Sequence, residues 1–167
     1  MKLLLPVLET LNNLLYILIN KSPTKKMFPK IYLITHEQQK IIEKGITNKI
    51  YSAGLYFGLI KKGNFFLSIE GAEYLNKNHN ISDFKIINMN VKGEKSILYG
   101  NNIFKNMILK IPEPMKQNEL LLILNKFDEL IALAKSCIDN HTIKELKPEK
   151  VIAFNLIDKG DYLRKSQ

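Results

Sequence analysis

The stretch Ser96-Ile-Leu-Tyr-Gly-Asn-Asn-Ile-Phe-Lys-Asn-Met-Ile-Leu-Lys-Ile111 decides how the second half of this chain is read. In its first half Ile97 with Gly100 and Asn101, and Tyr99 with Ile103, recur at helical spacing, which predicts one short helix. The period then changes. Met107, Leu109 and Ile111 alternate with Ile108 and Lys110, as along a strand. Asn106 stands at the junction and tolerates the left-handed conformation that a helix end often needs. A helix thus hands the chain to a strand at a fixed angle, with Lys105 and Lys110 beside the corner. Two such cations can grip a phosphate, or can simply solvate a surface whose other side is buried.

Around this stretch lie 167 residues, enough for one ordinary domain or two small ones with modest cores. A hydrophobic fraction of 46% suits globular packing. The net charge of +9, from 25 basic against 16 acidic residues, favours polyanions such as nucleic acid or an acidic membrane face. Only one of the cations is an arginine, Arg164. Lysine binds phosphate as a mobile point charge, whereas arginine offers the planar fork that reads a guanine edge, so affinity is expected to exceed sequence selectivity. The lone Cys137 can make neither an internal disulfide nor a metal cage and reads as a small buried hydrophobe in a reducing compartment. Leu3-Leu-Leu-Pro-Val-Leu8 looks briefly like a signal sequence, but Glu9, Asn12 and Asn13 interrupt it and no small-residue cleavage site follows. No apolar run is long enough to cross a bilayer, so a cytoplasmic protein is expected.

In the first half, Leu4, Leu8, Leu11, Leu15 and Leu18 form one stripe, predicting a helix over residues 3–19. Lys21-Ser-Pro-Thr-Lys-Lys-Met-Phe-Pro-Lys30 has four lysines and no acid and reads as an extended loop, either solvated or an accessory RNA contact. Ile31 to Ile34 read as a strand. Thr35-His-Glu-Gln38 then carries a capping-box signature for a helix through Ile41 and Ile42 that Gly45 ends. Two strands, Ile50 to Ile60 and Phe65 to Ile69, flank the hairpin composition Lys61-Lys-Gly-Asn64. A short helix from Glu70, a polar loop holding His79 and a strand from Phe84 to Met89 follow. The boundary is placed near Asn90, without a serine- or proline-rich linker. The charge excess does not favour either half: 11 basic and 6 acidic residues precede Phe84, and 14 and 10 follow.

Beyond Ile111, Pro112-Glu-Pro-Met-Lys-Gln117 reads as a rigid loop. Glu119 to Leu124 and Leu130 to Ile138 read as aliphatic core strands of a small barrel. Thr142 can cap a turn through Leu146 that Pro148 stops; Lys144 and Lys147, three apart, share its face, with Lys150 just beyond. Val151 to Ile157 is the last strand, Gly160 allows a sharp turn, and Lys159, Arg164 and Lys165 remain at the surface.

Two separated motifs carry a resemblance. Leu98-Tyr-Gly-Asn-Asn-Ile-Phe-Lys-Asn106, followed by Asp158-Lys-Gly-Asp-Tyr-Leu-Arg164, resembles the start and end of a PUA domain, a small RNA-binding pseudo-barrel. The Tyr-Gly-Asn triplet and Ser52-Ala-Gly-Leu-Tyr-Phe-Gly58 resemble, more narrowly, the Nip-seven family of large-ribosomal-subunit biogenesis factors. The resemblance runs from about Lys30 to Arg164 and implies an α+β chain. Its parts would be an N-terminal α/β pre-PUA domain over 1–90, with a mainly antiparallel sheet and flanking helices, and a C-terminal PUA pseudo-barrel over 91–167.

The resemblance also implies RNA binding through the basic PUA face. Lys110 stands where the family carries a basic residue at the helix-to-strand corner, Arg164 matches the terminal Tyr-Leu-Arg, and Lys135 with Ser136 matches a Lys-Ser pair. The candidate RNA contacts are therefore Lys105, Lys110, Lys135, Lys144, Lys147, Lys150, Lys159, Arg164 and Lys165, with Tyr99 or Phe104 as stacking platforms unless they are core. The family's glycines near Met107, Leu109, Glu129 and Ile131 are missing here, which makes lysine side chains relatively more important than close backbone approach.

Implied partners are RNA, as pre-rRNA or U-rich single strands, and ribosome assembly factors or exosome subunits docked by the pre-PUA domain. The chain is expected to be a monomer with no membrane partner and no cofactor. Catalysis finds little material: His36, His79 and His141 are far apart, and no Ser-His-Asp order or His-Glu-x-x-His pair occurs. Asp158 and Asp161 flank a glycine turn, where capping and salt bridging are the ordinary roles. A non-enzymatic adapter in pre-rRNA processing and large-subunit assembly leads. An accessory subunit or minimal enzyme of RNA modification is the alternative, and a purely protein-binding module a third.

Overall fold

The computed structural model describes residues 14–19, 27–46, 50–78, 80–82, 84–143 and 145–165. The chain divides into two compact units, Met1–Tyr74 and Leu75–Gln167. This division falls earlier than Asn90, because the strand Lys85–Met89 pairs in parallel with Leu120–Leu124 and so belongs to the second sheet.

The first unit holds an antiparallel four-stranded sheet in the order β1 (Leu14–Leu18), β2 (Lys30–Ile34), β3 (Leu55–Lys61), β4 (Asn64–Leu67). β1 corrects the expected N-terminal helix, whose remaining residues 3–13 lie outside the described ones, as does most of the lysine-rich loop. Leu-Leu-Tyr-Ile-Leu satisfies a helical stripe and a strand alternation equally well, and pairing decides: Leu14 faces Ile34 and Leu18 faces Lys30 in register. Tyr16, Tyr32 and Tyr56 stand opposite one another across β1, β2 and β3. They pack with Leu18, Ile34 and Ile42 in the core of this unit.

Helix α1 (His36–Ile41) begins with the predicted box: Thr35 accepts from the Gln38 amide, and Gln38 accepts from the Thr35 amide. It continues past the expected stop as a wider π turn, Ile42–Ile46. The β3–β4 hairpin turns on Lys62 (φ 51°) and Gly63 (φ 75°), the two successive left-handed residues that match a strand pair's twist.

Helix α2 (Ile69–Lys77) leads out of the first unit. The second unit is one six-stranded sheet in the order β6 (Ile103–Phe104), β10 (Val151–Asp158), β9 (Leu130–Ser136), β8 (Leu120–Leu124), β5 (Lys85–Met89), β7 (Ile108–Lys110). Its two edge strands, β6 and β7, are joined by only the 3-10 turn Lys105–Met107, so the sheet curls into a nearly closed barrel. Ile87, Met89, Leu121, Ile123, Ala132, Ala134 and Ile152 fill it, together with Ile97 from helix α3 (Val91–Leu98). Each Ile, Leu or Met side chain among these, taken fully from water, contributes roughly 1.5–3 kcal/mol. Two short helices, α4 (Asn140–Ile143) and α5 (Asp161–Lys165), complete the unit. Thr142 does not cap α4; its hydroxyl donates back to the Asp139 carbonyl at 2.8 Å.

Candidate nucleic-acid interface

Helix α3 is fixed at both ends. At its start the Asn90 side chain accepts from the Gly93 amide at 2.8 Å and donates to the Asn106 carbonyl at 2.9 Å, tying the helix to the 3-10 turn. Gly93 is required there, since a Cβ would stand 2.7 Å from both Met107 Cβ and its carbonyl oxygen. At its end the left-handed residue is Gly100 (φ 88°), not Asn106, because the helix closes at Leu98 and leaves Asn106 inside the 3-10 turn.

The two motifs that carried the family resemblance meet at this helix end. Arg164 donates through Nη1 to the Leu98 carbonyl and forks onto buried Asp158 at 3.0 and 2.8 Å, with Asp161 at 3.9 Å. Hydrogen bonding to Asp158 holds the guanidinium even more firmly charged than usual. The Asn155 amide donates to Asp158 at 2.9 Å and to the carbonyls of Ile97 and Asn101 at 3.3 and 3.4 Å. Gly160 passes so close that a Cβ would lie 2.0 Å from the Leu98 oxygen. Leu98 to Asn102 and Asn155 to Arg164 are therefore the halves of one clamp. Asp158 and Asp161 serve it as ion-pair partners.

The clamp presents Tyr99, which is 76% exposed rather than core. Lys92 and Lys95 are exposed on the preceding turns, and the 92, 95, 99 spacing puts all three on one side of α3. Sequence reasoning passed over both lysines because it centred on the helix-to-strand corner; their spacing to Tyr99 is the signal that finds them.

The sequence-predicted cations divide into several groups. Lys105 is half-buried, its Nζ donating to the Leu146 carbonyl at 2.7 Å. Its amide donates to the Lys150 carbonyl at 3.0 Å, and the Lys150 amide to Lys147 at 3.1 Å. Lys105 thus holds the turn on which Lys147 and Lys150 are exposed. Lys110 is exposed at the end of β7, opposite Asn88. Lys135 is exposed on β9 between Leu120 and Phe154. Half-buried Lys159 donates its amide to the Ile131 carbonyl at 3.0 Å. Arg164 is committed to the clamp, while Lys144 and the side chain of Lys165 lie outside the described residues. Phe104 is half-buried in β6.

Nearby, burial pushes the Cys137 thiol up, with Lys150 pulling weakly the other way. His36 is exposed in the first turn of α1, and the described residues contain no cluster of His, Cys, Asp or Glu able to hold a metal. Among them no helix is long and apolar enough to cross a membrane.

The UPF0113 PUA domain family matches residues 85–167. A UPF0113 protein of Archaeoglobus fulgidus is 30% identical over 149 residues, which cover 89% of this chain and 79% of that protein. The 60S ribosome subunit biogenesis protein nip7 of Schizosaccharomyces pombe is 25% identical over 136 residues, covering 81% of this chain and 73% of its own. Among solved structures, a hypothetical protein from Pyrococcus horikoshii superposes with a TM-score of 0.62 at 11% identity, over 92% of this chain and 79% of that one. A conserved PUA domain protein from Thermoplasma acidophilum does so with a TM-score of 0.53 at 16% identity, over 78% and 93%. These two superpositions speak for the α+β fold with its PUA pseudo-barrel, and the Archaeoglobus relative speaks for kinship. The chain belongs to the UPF0113 family, whose PUA-domain model spans both the Tyr99-Gly-Asn triplet and the Asp158-to-Arg164 motif, and the nip7 relative agrees with the expected Nip-seven resemblance.

Proposed function

We propose that this chain is a non-enzymatic RNA-binding adapter in ribosome biogenesis, acting in pre-rRNA processing and large-subunit assembly, in the cytoplasm or, in a eukaryote, the nucleolus. The observation that carries this reading is the exposed Lys92, Lys95 and Tyr99 side of α3, anchored at both ends to the barrel. Lys147, Lys150 and Lys110 supply further cations on the same barrel. Cations that track a phosphate backbone, with an aromatic on which a base can stack, are the requirements of sequence-tolerant single-strand binding. The biogenesis names of the relatives supply the context. The first unit docks protein partners in this scheme, and its edge strand β1 exposes Leu15 and Ile17 for that purpose.

The test is fluorescence anisotropy of a labelled U-rich single strand between 50 and 200 mM salt, a range over which counterion release is readily measured. Each lost phosphate contact reduces the log–log salt slope by about 0.7, so Lys92→Gln with Lys95→Gln should reduce it by about 1.4. Tyr99→Ala should weaken binding about fivefold or more without changing the slope. Absence of RNA retention at low salt, or slopes indifferent to every lysine, would overturn the proposal.

A further inference from the structure

The hairpin that joins β8 to β9 ends in a tightly built tip, Asn125-Lys-Phe-Asp-Glu129. Buried Asn125 organises it: its side-chain oxygen accepts from the amides of Phe127 and Glu129 at 2.9 and 3.1 Å, and its Nδ2 donates to the Glu129 carboxylate at 2.8 Å. Asp128 completes the turn in the left-handed region, at φ 60°, with its amide on the Asn125 carbonyl. This framework leaves Phe127 68% exposed. A ring held out on a rigid turn costs little further ordering when something binds it. Lys126 Nζ lies over that ring, 4.7 Å from its centroid, so one face already carries a cation.

Two further hydrogen bonds fix what the ring stands between. On one side Asn125 Nδ2 donates to Glu94 of α3 at 3.2 Å. At about 100° per residue Lys95 falls between Glu94 and Tyr99 around the exposed arc of that helix, so the tip adjoins the side of α3 that presents Lys95 and Tyr99. On the other side Asp128 accepts from the Asn88 side chain at 3.1 Å. Asn88 is paired in register with Lys110, whose exposed side chain therefore leaves the sheet on the same face. Phe127 thus occupies the interval between Lys95 and Lys110, two cations of the proposed RNA surface. The carboxylates at the tip are taken up by side-chain amides, Glu94 and Glu129 by Asn125 and Asp128 by Asn88. With those acids present the tip itself attracts phosphate weakly, and what it offers is a π-face with cations to either side. That order of groups suits a single strand, in which phosphates alternate with bases free to stack. We infer that Phe127 is a second base-stacking platform, on which an unpaired base of single-stranded RNA rests while Lys126 and Lys110 meet the neighbouring phosphates.

The inference rests on the RNA-binding reading, and its test on the full chain separates the two. The sequence contains no tryptophan, so Phe127→Trp installs a single fluorescent reporter. Its emission should be quenched by a U-rich strand of about ten nucleotides, and a duplex of the same length, whose bases are already stacked, should leave it unchanged. In anisotropy titrations Phe127→Leu, which keeps an apolar side chain but no π-face, should weaken single-strand binding about fivefold or more without altering the salt slope. Phe127→Trp should bind at least as tightly as the parent chain, and Lys126→Gln should reduce the log–log salt slope by about 0.7. Both positions are exposed, and circular dichroism melts would confirm that the variants fold. Strand binding that responds to Tyr99→Ala but not to Phe127→Leu would overturn the inference and leave the RNA-binding reading standing. Equal quenching by strand and duplex would overturn it as well, and retention of no RNA at low salt would overturn both.

Discussion

The clamp makes a quantitative prediction through Gly160. A methyl group added there would come within 2.0 Å of the Leu98 oxygen and 2.8 Å of Arg164 Nη1. The first of these atoms is backbone, and the gap is about 1 Å short of what a Cβ contact tolerates. Gly160 is not in the left-handed region, so the whole penalty of Gly160→Ala is crowding, and relief requires the α5 turn to back away from the end of α3. Overpacking of this kind costs about 1–3 kcal/mol. Hydrogen exchange reads that local cost directly: the Tyr99 and Gly100 amides, bonded to Ser96 and Ile97, should exchange roughly 5- to 160-fold faster. Gly63→Ala is the informative control, because no atom lies within 4 Å of its Cβ and only its φ of 75° resists substitution. Its cost of about 1–2 kcal/mol should leave those two amides unchanged. Unaltered protection of Tyr99 and Gly100 in Gly160→Ala would refute the clamp.

Other consequences are simpler to state. Thr35→Ala removes one half of the capping box and should destabilise the first unit by about 1 kcal/mol, read as a lower urea midpoint with an unchanged slope. Burial raises the pKa of Tyr32, of Cys137 and of Tyr56, the last also raised by Glu70 and Tyr32. The folded chain then holds protons that the unfolded chain releases, so stability is full below the unfolded values and falls as pH rises above about 9. Chemical denaturation between pH 7 and 10.5 checks this, and a flat or rising profile would contradict it. The same burial should make Cys137 alkylate more slowly at neutral pH than a free thiol.

Local signals were legible wherever one element's own residues decide its form. Thr35 and Gln38 specify their box, and Lys61 to Asn64 specify their hairpin, because every partner lies within a few residues. Leu14 to Leu18 failed for the complementary reason: a five-residue apolar run fits both periods, and only Lys30–Ile34 across the sheet resolves it. Asn106 was chosen as the helix end because it borders the strand pattern, yet Gly100 pays no Cβ penalty for a positive φ and wins the position. The pairing of the two motifs lay beyond any local rule. Arg164 reaches Leu98 across 66 residues, a contact that only the barrel's closure creates.

That contact changes what the charge composition means. The lone arginine offered a surface fork for phosphate or guanine, but Asp158, only 2% exposed, takes both of its terminal nitrogens, and Nη1 donates to the Leu98 carbonyl as well. Apart from Arg164, whose terminal nitrogens are engaged by Asp158, every described residue with a permanent positive charge is a lysine, whose ammonium has no planar preference and reads no base edge bidentately. In the proposed RNA-binding role, selectivity between RNA sequences would then have to come from base stacking on exposed Tyr99, from RNA shape, or from a protein partner, because lysines alone follow the phosphate backbone without reading bases.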